Sequence, residues 1–100
     1  MKKILVIEDN NDVRENIAEI LSLAGYEVES AENGKVGLVK VNQFKPDLIL
    51  CDVMMPELDG YGVLKILASN PQFATVPFIF LTAKSEKVDL RRGMSLGASD

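Results

Sequence analysis

The chain has 100 residues, of which 47% are hydrophobic and 26% charged, and this suits one globular domain at the small end of what an α/β fold needs to bury a core. The absence of histidine excludes a histidine nucleophile, base or zinc ligand, and the single cysteine cannot form an internal disulfide. A formal net charge of −4 disfavours direct binding of nucleic acid, and no apolar run is long enough to cross a membrane.

Apolar patterning predicts four strands that alternate with four helices. Short apolar runs indicate buried strands, and apolar stripes at helical spacing indicate amphipathic helices. In chain order, the predicted elements are a strand at 3–8, a helix from about 12 to 24, a strand at 26–31, a helix at 34–43, a strand at 47–52, a helix at 58–69, a strand at 78–82 and a helix from about 85 to 97. This order predicts an α/β fold with a parallel, right-handed, doubly wound sheet.

Some caps and buried residues can be predicted as well. Asn10 or Asn11 is the candidate N-cap of the first helix, and Gly25 lies where a left-handed C-terminal cap is common. The apolar residues of this helix form a one-sided stripe that we expect to face the core: Val13, Ile17, Ile20, Leu21 and Ala24. Further residues are expected to be buried: Cys51, Met55, Val63, Leu64 and Leu67.

Acidic residues stand at the ends of two predicted strands. Glu8 and Asp9 follow the first strand, and Asp52 ends the third. Open α/β sheets bind ligands at the carboxyl ends of their strands, where three carboxylates would repel one another without a cation between them. Oxygen ligands of this kind are those that Mg²⁺ prefers. Thr82 ends the predicted fourth strand, so its hydroxyl should face the same pocket.

Each of these signals has an ordinary explanation when it is taken alone. Glu8 and Asp9 could form a solvated turn before a helix, and Asp52 could cap the next turn. Thr82 suits a strand without any further role. Their convergence at one edge of the sheet favours a site.

Five sequence features occur together, in one order along the chain. They are the acidic pair Glu8-Asp9, Asp52 at the end of the third strand, the D-x-x-M-P-x-x-D-G run from Asp52 to Gly60, Thr82-Ala83, and the segment Leu96–Asp100. With these features the chain resembles the receiver domains of two-component response regulators over its whole length. The resemblance implies a CheY-like, flavodoxin-like sheet with strand order 2-1-3-4, extended by a fifth strand in a complete domain. It also implies a cytoplasmic signalling module that is not an enzyme.

The resemblance assigns roles to the residues of the acidic edge. Asp52 would accept a phosphoryl group from the phospho-histidine of a histidine kinase or phosphotransfer protein. Asp9, Asp52 and the Met54 carbonyl would bind Mg²⁺ directly, and Glu8 would act mostly through water. Thr82 would hydrogen-bond the phosphoryl group.

The family also carries a fifth strand, a lysine at its end and a fifth helix, which would follow Asp100. We therefore expect residues 1–100 to be a receiver domain that is incomplete at its C-terminal end. Three explanations are open: a sequence that continues further, an engineered fragment, or a second copy or other partner that supplies the missing strand and helix.

Three alternative functions can be weighed against the residues. A haloacid-dehalogenase-like phosphatase needs a second acid two residues after Asp52 for proton transfer, and Met54 stands there. A flavodoxin-like FMN carrier needs a hydroxyl-rich loop after the first strand, where Glu8 and Asp9 would repel the phosphate. The third alternative is a truncated or split receiver that acts as an interaction module without phosphotransfer.

Overall fold

The computed structural model describes residues 1–81 as a parallel sheet with helices on its faces. In chain order, the elements are β1 (Lys3–Ile7), α1 (Asn11–Leu23), β2 (Glu27–Ala31), α2 (Gly34–Phe44), β3 (Leu48–Asp52), α3 (Gly60–Ala68) and β4 (Phe78–Leu81). The strands are parallel and ordered β2-β1-β3-β4, which confirms the predicted strand order and the flavodoxin-like class. The predicted helix that begins near Ser85 lies outside the described residues.

Each helix begins after an Asn or Asp whose side chain accepts the backbone N–H three residues further on. These N-cap residues are Asn10, Asn33 and Asp59, with donor–acceptor distances of 3.0, 2.8 and 2.9 Å. The third helix was expected to begin at Leu58, and this was wrong: it begins at Gly60, because Asp59 has an extended backbone and serves as the cap. Gly25 has φ +100°, which confirms the left-handed turn expected after α1.

The main core lies between one face of the sheet and the helices α2 and α3. Its strand residues are Leu5, Ile7, Ile49, Cys51, Phe78 and Phe80, and its helix residues include Val41, Val63, Leu64 and Leu67. Ile4 and Val6 hold the alternate positions of β1 and are also buried, on the face against which α1 packs. Cys51 and Met55 are buried, as predicted.

Helix α1 is rotated relative to the predicted inward stripe. Val13 and Ile20 are 42% and 65% exposed, so their assignment to the core was wrong, and Ala24 is exposed too. The residues that turn toward the sheet are partly buried: Arg14, Ile17, Ala18 and Leu21. They form a regular i, i+3, i+4, i+7 line, and that line contains a cation that a search for apolar residues alone does not select.

The parallel register brings the ends of the central strands to the same edge of the sheet. Ile7 of β1 pairs with Ala31 of β2 and with Cys51 of β3, while Asp52 pairs with Leu81 of β4. The residues that follow β1 and end β3 therefore lie at one edge of the sheet. Within residues 1–81, no helix is both long and apolar enough for a membrane span.

Candidate functional site

Three carboxylates meet where β1 and β3 end. Glu8 directly follows β1, Asp9 comes next, and Asp52 is the last residue of β3. One carboxylate oxygen from each of these residues lies within 4.8 Å of the other two. The structure therefore brings together three of the four predicted metal-site residues.

Glu8 is the buried member of this acidic cluster, with 6% of its surface exposed. Its carboxylate accepts a hydrogen bond from the Asn10 N–H at 3.0 Å. Burial raises the pKa of Glu8 to about 7, the Asn10 bond opposes the rise, and the charges of Asp52 and Asp9 add to it. Near neutral pH this side chain is therefore partly protonated, chiefly because burial disfavours its charged form.

Asp52 is half-buried and is held by several hydrogen-bond donors. Burial and the charge of Asp9 raise the pKa of Asp52, whereas the N–H groups of Val53 and Met54 and a hydrogen bond with Glu8 act in the opposite direction. The carboxylate of Asp52 thus remains an acceptor with a fixed orientation.

The loop from β3 to α3 packs closely against Asp52. The N–H of Gly60 donates to the Val53 carbonyl at 3.0 Å, and a Cβ at Gly60 would collide with the carbonyl oxygen of Asp52. Glu57 has φ +69°, in the left-handed region that non-glycine residues disfavour, and its carboxylate pairs with Lys35 at 3.1 Å. The lack of a side chain at Gly60 therefore lets the loop close over the end of β3.

The other residues proposed from the sequence differ in where they lie. Met54 follows the cluster directly; its side chain is 77% exposed and its N–H faces the carboxylate of Asp52. Thr82 lies outside the described residues. Cys51 is fully buried, and burial raises the pKa of its thiol, so it behaves as a core residue beside the site.

Arg14 contacts the acidic loop and was not identified from the sequence. Its Nη1 donates to the backbone carbonyl of Glu8 at 2.9 Å, and its Nη2 donates to Oδ1 of Asn11. Its spacing along the sequence was the available signal, because residues three and seven positions apart place Arg14 on the same side of α1 as Ile17 and Leu21. A cation at an inward-facing position of a helix indicates a polar partner at the end of the neighbouring strand.

The chemistry of the acidic cluster fits a hard divalent cation. Its side-chain donors are carboxylate oxygens, the ligands that Mg²⁺ prefers, and Mg²⁺ usually keeps several waters besides one or two carboxylates. Asp9 is exposed, which leaves a solvent side for waters or a phosphate group. A bound cation would relieve the repulsion that raises the pKa of Glu8.

Comparison with known proteins identifies relatives of the whole chain. Residues 4–100 match the family described as "Response regulator receiver domain". The chain is 41% identical over 99 residues to a probable transcriptional regulator, ycf27, of Porphyra purpurea, and 42% identical over 99 residues to the alkaline phosphatase synthesis transcriptional regulatory protein PhoP of Bacillus subtilis. Each alignment covers 99% of this chain and 40% of the relative, so the chain spans about two fifths of the length of these proteins.

Solved structures show the same fold. Chemotaxis protein CheY4 of Vibrio cholerae superposes with a TM-score of 0.91 at 31% identity, covering 99% of this chain and 82% of CheY4. A putative response regulator from Chloroflexus aurantiacus gives a TM-score of 0.93 at 33% identity, covering 99% and 81%. The chain therefore belongs to the response regulator receiver domain family.

Proposed function

We propose that this chain is a phosphoacceptor domain in which Asp52 receives a phosphoryl group from the phospho-histidine of a histidine kinase or phosphotransfer protein. The observation that supports this most is the meeting of Glu8, Asp9 and Asp52 at one edge of the sheet. Asp52 is the nucleophile because it ends a strand and has its carboxylate oriented by two successive backbone N–H groups. The alternative of an interaction module without phosphotransfer is not favoured by the family match.

The transfer follows from the chemistry of a carboxylate. An oxygen of Asp52 attacks the phosphorus, the P–N bond breaks, and its electron pair returns to the imidazole nitrogen of the donor. A proton on the other ring nitrogen of the donor leaves the released imidazole neutral. The N–H groups of Val53 and Met54 orient the attacking carboxylate, which lowers the entropic cost of reaching a reactive geometry. The product is an aspartyl phosphate on this chain and a neutral histidine on the donor.

The acidic cluster supplies the cation site that this transfer needs. Asp9, Asp52 and the Met54 carbonyl would hold Mg²⁺ directly, and Glu8 would act through water. Bound Mg²⁺ would neutralise the negative charge that the carboxylates and the phosphoryl group bring together. The oxygen-only donor set and the raised pKa of Glu8 support this assignment.

Further parts of the proposal concern the setting of the domain. Thr82 would hydrogen-bond the phosphoryl group and link phosphorylation to a shift between two conformations. The domain would work in the cytoplasm as a switch and not as an enzyme with turnover. Its output would lie in the remaining part of a longer protein, in keeping with the length of its curated relatives.

Intact-mass spectrometry after incubation with Mg²⁺ and acetyl phosphate tests the proposal. The unchanged chain should gain one phosphoryl group, and EDTA should prevent the gain. Asp52→Asn should abolish it, whereas Asp12→Asn, which removes an exposed acid of the same type, should not. Persistent phosphorylation of Asp52→Asn would contradict the assigned acceptor. No addition to a chain whose circular dichroism shows a fold would favour the interaction module.

A further inference from the structure

We propose that Arg14 is a positioning residue that fixes the Glu8–Asp9 peptide and thereby sets the affinity of the acidic cluster for Mg²⁺. This inference rests on the proposed function for its metal, but its geometric part does not. Arg14 binds the main chain of the site and is not proposed as a ligand.

The contacts of Arg14 form a fork across the start of α1. Nη1 donates to the Glu8 carbonyl at 2.9 Å, while Nη2 donates to the Asn11 side chain. Arg14 is itself anchored, because its N–H donates to the Asn10 carbonyl at 2.9 Å in the first turn of the helix. A planar guanidinium with two bonded arms holds a carbonyl in a direction that one flexible ammonium group cannot reproduce.

The Glu8 carbonyl is the point at which such a restraint matters most. The Glu8 N–H is bound to the Ala31 carbonyl at 3.0 Å, and the Glu8 carboxylate is bound to the Asn10 N–H at 3.0 Å. The peptide that leaves Glu8 sets the direction of Asp9, whose exposed side chain is not held by packing but shares a hydrogen bond with the Glu8 carboxyl group. Arg14 binds the oxygen of that peptide and so orients the exposed acid toward the other two.

Charge and geometry predict opposite effects for the removal of Arg14. The loss of a cation near three acids should strengthen the binding of Mg²⁺ if only long-range electrostatics acts. The loss of the fork should weaken it, since removal of residues that orient metal ligands typically lowers metal affinity about tenfold to a hundredfold. Whether the removal of Arg14 raises or lowers the affinity for Mg²⁺ therefore shows whether its charge or its hydrogen bonds matter more.

Magnesium titration followed by backbone amide NMR shifts provides the test. We expect the Kd of Arg14→Gln for Mg²⁺ to rise about tenfold, and that of Arg14→Lys, which keeps the charge, to rise by about threefold or more. The matched control is Lys3→Gln, which removes a bond from a side chain to the Phe44 carbonyl (3.2 Å) at the start of β1, away from the acids. This control should bind Mg²⁺ with an affinity within about twofold of the unchanged chain.

Amide hydrogen exchange without metal gives a second, independent result. In Arg14→Gln and Arg14→Lys the Asn10 amide, which donates to Glu8, should exchange several-fold faster, while core amides such as Val6 keep their rates. Unchanged or tighter Mg²⁺ binding by both variants would overturn the inference, and so would unchanged exchange of Asn10. An unchanged chain that binds no Mg²⁺ would instead refute the proposed metal site, and the exchange result would still decide whether Arg14 holds the loop.

Discussion

Glu8→Gln is expected to stabilise the metal-free chain at alkaline pH. The pKa of Glu8 rises from 4.5 to about 7 in the folded state, so the folded chain binds the proton more tightly than the unfolded chain. The contribution of Glu8 to the free energy of unfolding is therefore most favourable below about pH 4.5. It falls between about pH 4.5 and 7 and stays reduced above that range. Glutamine keeps the shape and the acceptor for the Asn10 N–H but never carries the charge.

The magnitude follows from the size of the pKa change. A rise in pKa from 4.5 to about 7 corresponds to about 3.5 kcal/mol, at roughly 1.4 kcal/mol per pKa unit. The exposed side of the cluster near Asp9 admits water, and screening there lowers the expected gain to roughly 2 kcal/mol. Urea unfolding in EDTA at about pH 8 should show this gain for Glu8→Gln, and at about pH 4 the gain should vanish.

Two controls separate this effect from general changes in charge. Glu15→Gln removes an exposed acid from α1 and should change the unfolding free energy by less than about 0.5 kcal/mol at either pH. Saturating Mg²⁺ should raise the stability of the unchanged chain and remove the advantage of Glu8→Gln, because the cation then compensates the charge. A Glu8→Gln chain that is no more stable than its parent at about pH 8 in EDTA would refute the reasoning.

Two further predictions concern the loop between β3 and α3. Glu57→Gly should raise the free energy of unfolding, measured with urea, by roughly 0.5–1 kcal/mol, because glycine accepts φ +69° without strain. The ion pair with Lys35 that is lost is exposed and contributes little. A net loss of stability would show that this ion pair dominates. Gly60→Ala should destabilise the chain by about 1–3 kcal/mol and slow phosphorylation by acetyl phosphate, because the new Cβ collides with the Asp52 carbonyl. The matched change Ala68→Gly, at the exposed end of α3, should lower stability by about 1 kcal/mol and leave the phosphorylation rate unchanged.

The buried strands and the acidic cluster could be predicted from the residues because both follow from the same pattern, whereas the strand order came from the resemblance to receiver domains. Unbroken apolar runs identify β1 and β3 as buried strands, and an acid that directly follows such a run must lie at the edge of the sheet. The N-cap of the first helix was narrowed to Asn10 or Asn11, and Asn10 is the residue that binds the Val13 N–H; the caps Asn33 and Asp59 were not predicted. The cap depends only on neighbouring residues, and the acidic cluster depends only on the parallel pairing of the strands.

The orientation of α1 and the contacts of Arg14 could not be obtained in this way. Val13 and Ile20 fit an apolar stripe as well as Ile17 and Leu21 do, and only packing on the sheet decides between the two lines. The left-handed backbone of Glu57 also gave no signal, because a glutamate seldom adopts it and the sequence offers no glycine there.

The pairing of Ile7 with Cys51 makes the site depend on the register of β3 as well as on the loops that follow the strands. Moving β3 by one residue would exchange the faces of its side chains, so Asp52 would turn toward the main core and Cys51 toward the face on which α1 packs. Because the same shift would bury a carboxylate among apolar residues, a chain that misaligns the strand loses stability and chemistry together. Insertions of one residue should therefore be tolerated after Pro56 far better than inside the run from Leu48 to Asp52.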